Sequence, residues 1–277
     1  MKLLAQHENP QDIRFGRIIT VWLQKSGMDY ATALISVTQR NGFLADIWAY
    51  VLNMADEPYP TYPRAARIAD GTIHILGVIL AVAGAIGLTI AAGFWARQGQ
   101  ISGGTVVAVA VYGAALIATF VASACYHLTP WERLRPTLRR IDHAAIYLKI
   151  AGTYTPLVVL IGSGFGYVIL GLVWVLAVVG AVAKLFFWAA PGRLAPGLYL
   201  GLGWLSLALI WSLAHSLPLP ATALVVAGGL LYSAGVIFFN WESFKFSNAI
   251  WHGFVLVASG CFFAAITLGT FAQAGIS

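Results

Sequence analysis

Ser123-Ala-Cys-Tyr-His127 and Asp142-His143, separated by a short basic loop, place a serine, two imidazoles and a carboxylate at the facing ends of two strongly apolar stretches. Burying such groups is costly, and ionisable residues inside membrane segments are rare and turn toward the interior of a bundle, so the pattern points to a polar site between helices. Near the C-terminus, Asn248-Ala-Ile-Trp-His252 repeats the spacing of four that separates Ser123 from His127. Residues four apart share a helix face, so His127 and His252 can meet across a helix interface with Ser123 and Asn248 beside them. Asp142 opens the next apolar segment at the same depth. Two imidazoles and one carboxylate at one level suit a divalent metal, zinc first, because catalytic zinc takes two His and one acidic ligand and leaves a position for water. Ser123 then serves as an outer partner that holds His127 in the tautomer coordination needs. The competing reading makes each histidine a hydrogen-bonded packing residue; spacing by itself leaves both open.

The elements that must position these groups are membrane helices. Of the 277 residues, 60% are hydrophobic and 9% charged, against about 25% charged in a soluble domain. Seven apolar segments follow one another, at 72–95, 105–126, 141–162, 166–186, 197–216, 221–240 and 248–272, each near the roughly 20 residues that cross a bilayer. A spanning segment must satisfy its own backbone, and runs this long and evenly apolar are helices rather than barrel strands. The expected fold is an all-α seven-transmembrane-helix bundle. A cytoplasmic N-terminus puts Arg64, Arg67, Arg133, Arg135, Arg139, Arg140, Lys184, Arg193 and Lys245 inside and leaves Arg97 in an outer loop, with the C-terminus outside. The site then lies near the cytoplasmic face. The net charge of +6 belongs to these loops and to anionic lipid head groups, not to nucleic acid.

Residues 1–68 read as a polar cytoplasmic arm, with an amphipathic helix between Tyr30 and Met54 and a Pro-rich spacer at Glu57–Pro63; residues 69–277 form the membrane domain. Met1–Ala5 gives way at once to polar residues, so no signal peptide is expected. The Gly197/Gly201 and Ala83/Gly87 pairs are expected to let helices approach closely. Asp70 falls at a helix mouth, His74 and His215 stand alone in their helices and read as packing residues, and Cys125 and Cys261 read as small buried thiols rather than a disulfide. Cys261 lies half a turn around the helix from His252, away from its face.

Ser123-x-x-x-His127, the run from Asp142-His143 through Ile146-Tyr147 to Ala151-Gly152-Thr153-Tyr154-Thr155-Pro156, and Ala249-Ile250-Trp251-His252 resemble the hemolysin III proteins of the progestin and adiponectin receptor family, over about residue 66 to the end. The resemblance implies a seven-helix bundle and a zinc site of three histidines, with a water held between metal and aspartate, in a superfamily that includes ceramide-hydrolysing membrane enzymes. His127 and His252 match two of the ligands, Asp142 the water-holding carboxylate and Ser123 the serine of the pattern. Position 248, where the third histidine is implied, is Asn248. A neutral amide oxygen is a poor zinc ligand, so either Asp142 coordinates directly or the metal is weakly held or absent. Lys149 stands where the family has an apolar residue, two turns after Asp142 on nearly the same face. It either leans back to pair with Asp142 or extends into a water-filled space between helices. His143 belongs to the motif without an assigned role.

Two functions follow. One is a zinc-dependent, ceramidase-like hydrolase of a lipid amide or ester in a bacterial inner membrane, with Asp142 and Ser123 catalytic. The alternative is a non-enzymatic membrane protein with a degenerate metal site, either a cytolytic pore or a receptor-like sensor; polar groups gathered at one end argue against a lined channel. A retinal protein is set aside because Lys245 precedes the last helix instead of lying within it.

Overall fold

The computed structural model describes residues 62–187, 194–241 and 243–276. The expected amphipathic helix at 30–54 and most of the Pro-rich spacer lie outside the described residues. The helices are α1 (Arg64–Arg97), α2 (Gly103–Leu128), α3 (Arg135–Ile161), α4 (Gly164–Val182), α5 (Leu194–Trp204), α6 (Ile210–Ser216), α7 (Leu219–Phe239) and α8 (Ser247–Gln273). A 3-10 stretch, Leu205–Leu209, joins α5 to α6, and the two make one span, so seven helical passages long and apolar enough to cross a membrane are present. The all-α seven-helix expectation is met.

Local chemistry sets the boundaries. Ser102 and Ser163 cap α2 and α4, their hydroxyls accepting from the amides of Thr105 and Gly166 at 3.1 Å, which satisfies donors that helix starts leave free. Gly162 ends α3 in the left-handed region at φ 68°, a conformation open to glycine at little cost. The helices are inverted relative to those of soluble proteins. On α1, Asp70, His74, Gly77, Ala81 and Ala85 are buried while Ile75, Ile79, Ile86 and Ile90 are exposed. Small and polar residues turn inward because, in lipid, close backbone approach and hydrogen bonding hold helices together.

α1 packs on α2, α2 on α3 and α3 on α4, while α8 packs on α7, α3 and α1. Two close approaches depend on glycine. A Cβ on Gly152 of α3 would lie 2.6 Å from Ala115 of α2, and one on Gly113 of α2 would lie 2.8 Å from Ala85 of α1. Gly87, Gly197 and Gly201 have nothing within 4 Å among the described residues. The expected contact pairs are therefore exposed, and other small residues carry the packing; spacing of four marks a face but not which way it turns. Tyr154 explains part of the α3 motif: its hydroxyl donates to the carbonyls of Leu202 (3.1 Å) and Gly203 (2.8 Å), where the fifth span leaves α-helical geometry and frees its acceptors.

A candidate metal centre

The polar groups converge within about two turns of one end of the bundle, the end that carries the loop between α2 and α3. Arg135 fixes that loop. Its guanidinium binds both oxygens of Glu132 at 3.0 Å and donates to the carbonyl of Thr129 at 2.9 Å and that of Tyr126 at 3.4 Å. A bidentate pair combined with donors for the last carbonyls of α2 ties the end of α2 to the start of α3. His127 and Asp142 are thereby held at matching depth.

His127 and His252 meet, their ring centroids 4.5 Å apart. A third imidazole joins them: His74 lies 4.8 Å from His127 and 4.3 Å from His252, centroid to centroid. The carboxylate among these rings is Asp70. Its Oδ1 is 2.7 Å from Nδ1 of His252, its Oδ2 accepts from Asn248 Nδ2 at 3.0 Å, and Oδ2 lies 3.7 Å from His127 Nδ1. Asp70, His74, His127 and His252 each offer one ligand atom, all within 4.8 Å of one another. Asp70 and His74 are 7% and 3% exposed.

This donor set fits a divalent metal. Bonds of about 2.0–2.2 Å hold ligand atoms within about 4.4 Å of each other, so small side-chain rotations bring these four onto one ion. Outer partners are in place as well. His74 Nδ1 lies 2.8 Å from the carbonyl of Asp70, a bond made by a protonated Nδ1, which leaves a lone pair on Nε2. Ser123 Oγ approaches that Nε2 at 3.2 Å.

Several expectations need correcting. Asp142 is buried, but it is not one of the four clustered residues; its Oδ2 lies 3.7 Å from His143 Nδ1. The acid within reach of the three imidazoles is Asp70, and Asp142 stands outside that group. Asn248 directs its amide nitrogen at Asp70 Oδ2 (3.0 Å) and lies 3.4 Å from His127 Nδ1. Lys149 does not turn back to Asp142; its ammonium donates to Ser259 Oγ at 2.7 Å, deeper in the bundle. His74 is part of the centre, not an isolated packing residue. His143 donates its Nδ1 proton to the carbonyl of Arg139 (2.8 Å). His215 does the same to Trp211 at the opposite end, and both cysteines are free thiols as expected, but Cys125 is exposed and Cys261 half-buried instead of both being buried.

Asp70 reads as a helix-mouth residue, and His74 as isolated, because hydropathy starts the first segment at 72 and leaves Asp70 outside it, whereas the helix begins at Arg64. Asp70 therefore stands in the second turn, not at the mouth. The i, i+4 spacing of Asp70 and His74, the same as that of the other two pairs, was the available signal.

Residues 67–263 match the family described as Haemolysin-III related. The chain is 36% identical to Hemolysin-3 of Bacillus cereus over 201 residues, which is 72% of this chain and 90% of that protein. It is 36% identical to the Hemolysin-3 homolog of Bacillus subtilis (strain 168) over 202 residues, 72% of this chain and 92% of the relative. All four clustered ligands fall within the family match. An apolar seven-helix bundle, a polar centre built by its first, second and last spans, and matches over most of both relatives agree: the chain belongs to the haemolysin-III-related family.

Proposed function

We propose that this chain is a zinc-dependent membrane hydrolase acting on a lipid amide or ester. The observation that carries this reading is the convergence of three imidazoles and one carboxylate within 4.8 Å, with a second buried carboxylate, Asp142, outside that group. Zinc at such a centre supplies a Lewis acid for the scissile carbonyl and makes a bound water nucleophilic near neutral pH. His127, His252 and Asp70 would hold it and leave the fourth position for water; His74 stands beside them, and Asn248 orients the Asp70 carboxylate. Asp142 stands off the ligand set, so one of its carboxylate oxygens is available to take the proton from the attacking water and return it to the leaving group. Ser123 holds His74 by donating to its Nε2. The basic residues at the site end support a cytoplasmic N-terminus and an inward-facing centre in a bacterial inner membrane.

The test is metal content of protein purified without chelators, together with fatty-acid release from a fluorescent lipid amide and a matching ester, with and without chelator. One zinc per chain and chelator-sensitive release are expected; protein without metal, or release indifferent to chelator and to Asp142→Asn, defeats the proposal. The name of the Bacillus cereus relative favours a second reading, membrane lysis. Leakage of dye from liposomes that persists unchanged in Asp70→Asn and Asp142→Asn would assign lysis to this chain independently of the centre.

A further inference from the structure

A second polar group lies deeper in the bundle. Lys149 and Ser259 each stand seven residues beyond a residue of the first, Asp142 on α3 and His252 on α8, which is two turns or about 10 Å along each helix. Lys149 is 7% exposed, and its ammonium donates to Ser259 Oγ at 2.7 Å. Ser259 gives its own proton to the carbonyl of Val255, so its oxygen accepts both from Lys149 and from Tyr232, whose hydroxyl is 3.0 Å away. The remaining ammonium protons face aromatic rings, with Nζ 4.9 Å from the centroid of Phe120 and 5.2 Å from that of Tyr232. Among the described residues no carboxylate pairs with Lys149.

Ring faces offset only part of the cost of a buried cation. A second observation points the same way. Tyr112, 1% exposed, has a hydroxyl without a hydrogen-bond partner, and its Cα lies 3.8 Å from where a Cβ on Gly152 would stand, one turn beyond Lys149 on α3. Helices α2, α3, α7 and α8 thus bring one ammonium and three hydroxyls to the interior, and their donors outnumber their acceptors. Every unsatisfied proton seeks an acceptor, and the uncompensated charge is a single positive one.

We propose that Lys149 and Tyr112, with Tyr232 and Ser259 behind them, form a binding site for a carboxylate, delivered either as the head of an amphiphile from the bilayer or as a small free anion. The site is separate from the metal centre and does not depend on the hydrolase reading. A monovalent carboxylate matches the charge, and its two oxygens can take the ammonium and phenol protons together.

The experiment measures thermal unfolding of the full chain in neutral detergent against increasing myristate, its alcohol counterpart tetradecanol, and acetate. Myristate is expected to stabilise the protein in a saturable way and tetradecanol not to. Stabilisation by acetate as well identifies the free anion as sufficient; its absence identifies the amphiphile, and both support the site. Lys149→Met is expected to weaken myristate binding roughly tenfold or more, the effect of losing one charge-assisted hydrogen bond, while Lys149→Arg retains it. His127→Ala is expected to leave binding unchanged, which separates this site from carboxylate coordination at the metal. Should Lys149→Met not fold, Tyr112→Phe decides, because it removes only an unsatisfied hydroxyl: weaker myristate binding is expected. Equal stabilisation by acid and alcohol, or wild-type affinity in Lys149→Met or Tyr112→Phe, overturns the proposal.

Discussion

Asp70→Asn is the substitution that tests the metal centre most directly. It keeps the volume of the side chain, and an amide can still accept from Asn248 and donate toward His252, so the local packing of α1 against α8 should survive. What it removes is the only negative charge among the four clustered ligands. Changing even an outer partner of a metal ligand lowers affinity by about 10–100-fold, and losing an anionic ligand outright should reach at least the upper end, about 100-fold, or roughly 2.7 kcal/mol. Competition with a chromophoric chelator, in membranes or detergent, reads the change. A second step sharpens it. Asn248→His introduces an imidazole beside Asp70 and His127, where the amide nitrogen now lies 3.0 Å and 3.4 Å from them. In the Asp70→Asn background it should restore about tenfold or more of the lost affinity, a coupling that a double-mutant cycle resolves. The reasoning fails if Asp70→Asn binds metal as the unaltered chain does while Asp142→Asn does not, since the coordinating acid would then be the one that lies outside the four-residue cluster.

Ser123→Ala should lower metal affinity by no more than about 10–100-fold, because it releases His74; chelator competition reads the change. Gly152→Val should destabilise the bundle by about 1–3 kcal/mol through overpacking against Ala115, whereas Gly87→Ala, with nothing within 4 Å, should leave the unfolding temperature unchanged; equal shifts would contradict the packing of α2 on α3. Tyr154→Phe should cost about 1–2 kcal/mol and loosen the fifth span, visible as faster amide exchange near Leu202 and Gly203.

The seven spans were legible because lipid imposes a length and an apolarity that can be counted along the chain, and the observed helices cover all seven segments. His127 and His252 were legible as a pair because a spacing of four repeats at one depth on two helices. Asp70 was not. Hydropathy measures where a helix can be in lipid, not where it starts, and Arg64, Arg67 and Asp70 interrupt the apolar signal of its first two turns. Lys149 shows the same limit from the other side: its position on the face of Asp142 was readable, but its rotamer follows from where Ser259 and two aromatic rings stand on neighbouring helices.

Periodicity and composition, being properties of the chain read residue by residue, determined that this is a seven-helix membrane protein with histidines and acids at one end. The tertiary structure decided which acid faces the histidines, which histidine completes the set, and where the buried lysine finds its partner. Those choices depend on how each helix is rotated about its axis and on which neighbour it meets. Both are fixed by close contacts such as Gly152 on Ala115, between residues far apart in sequence.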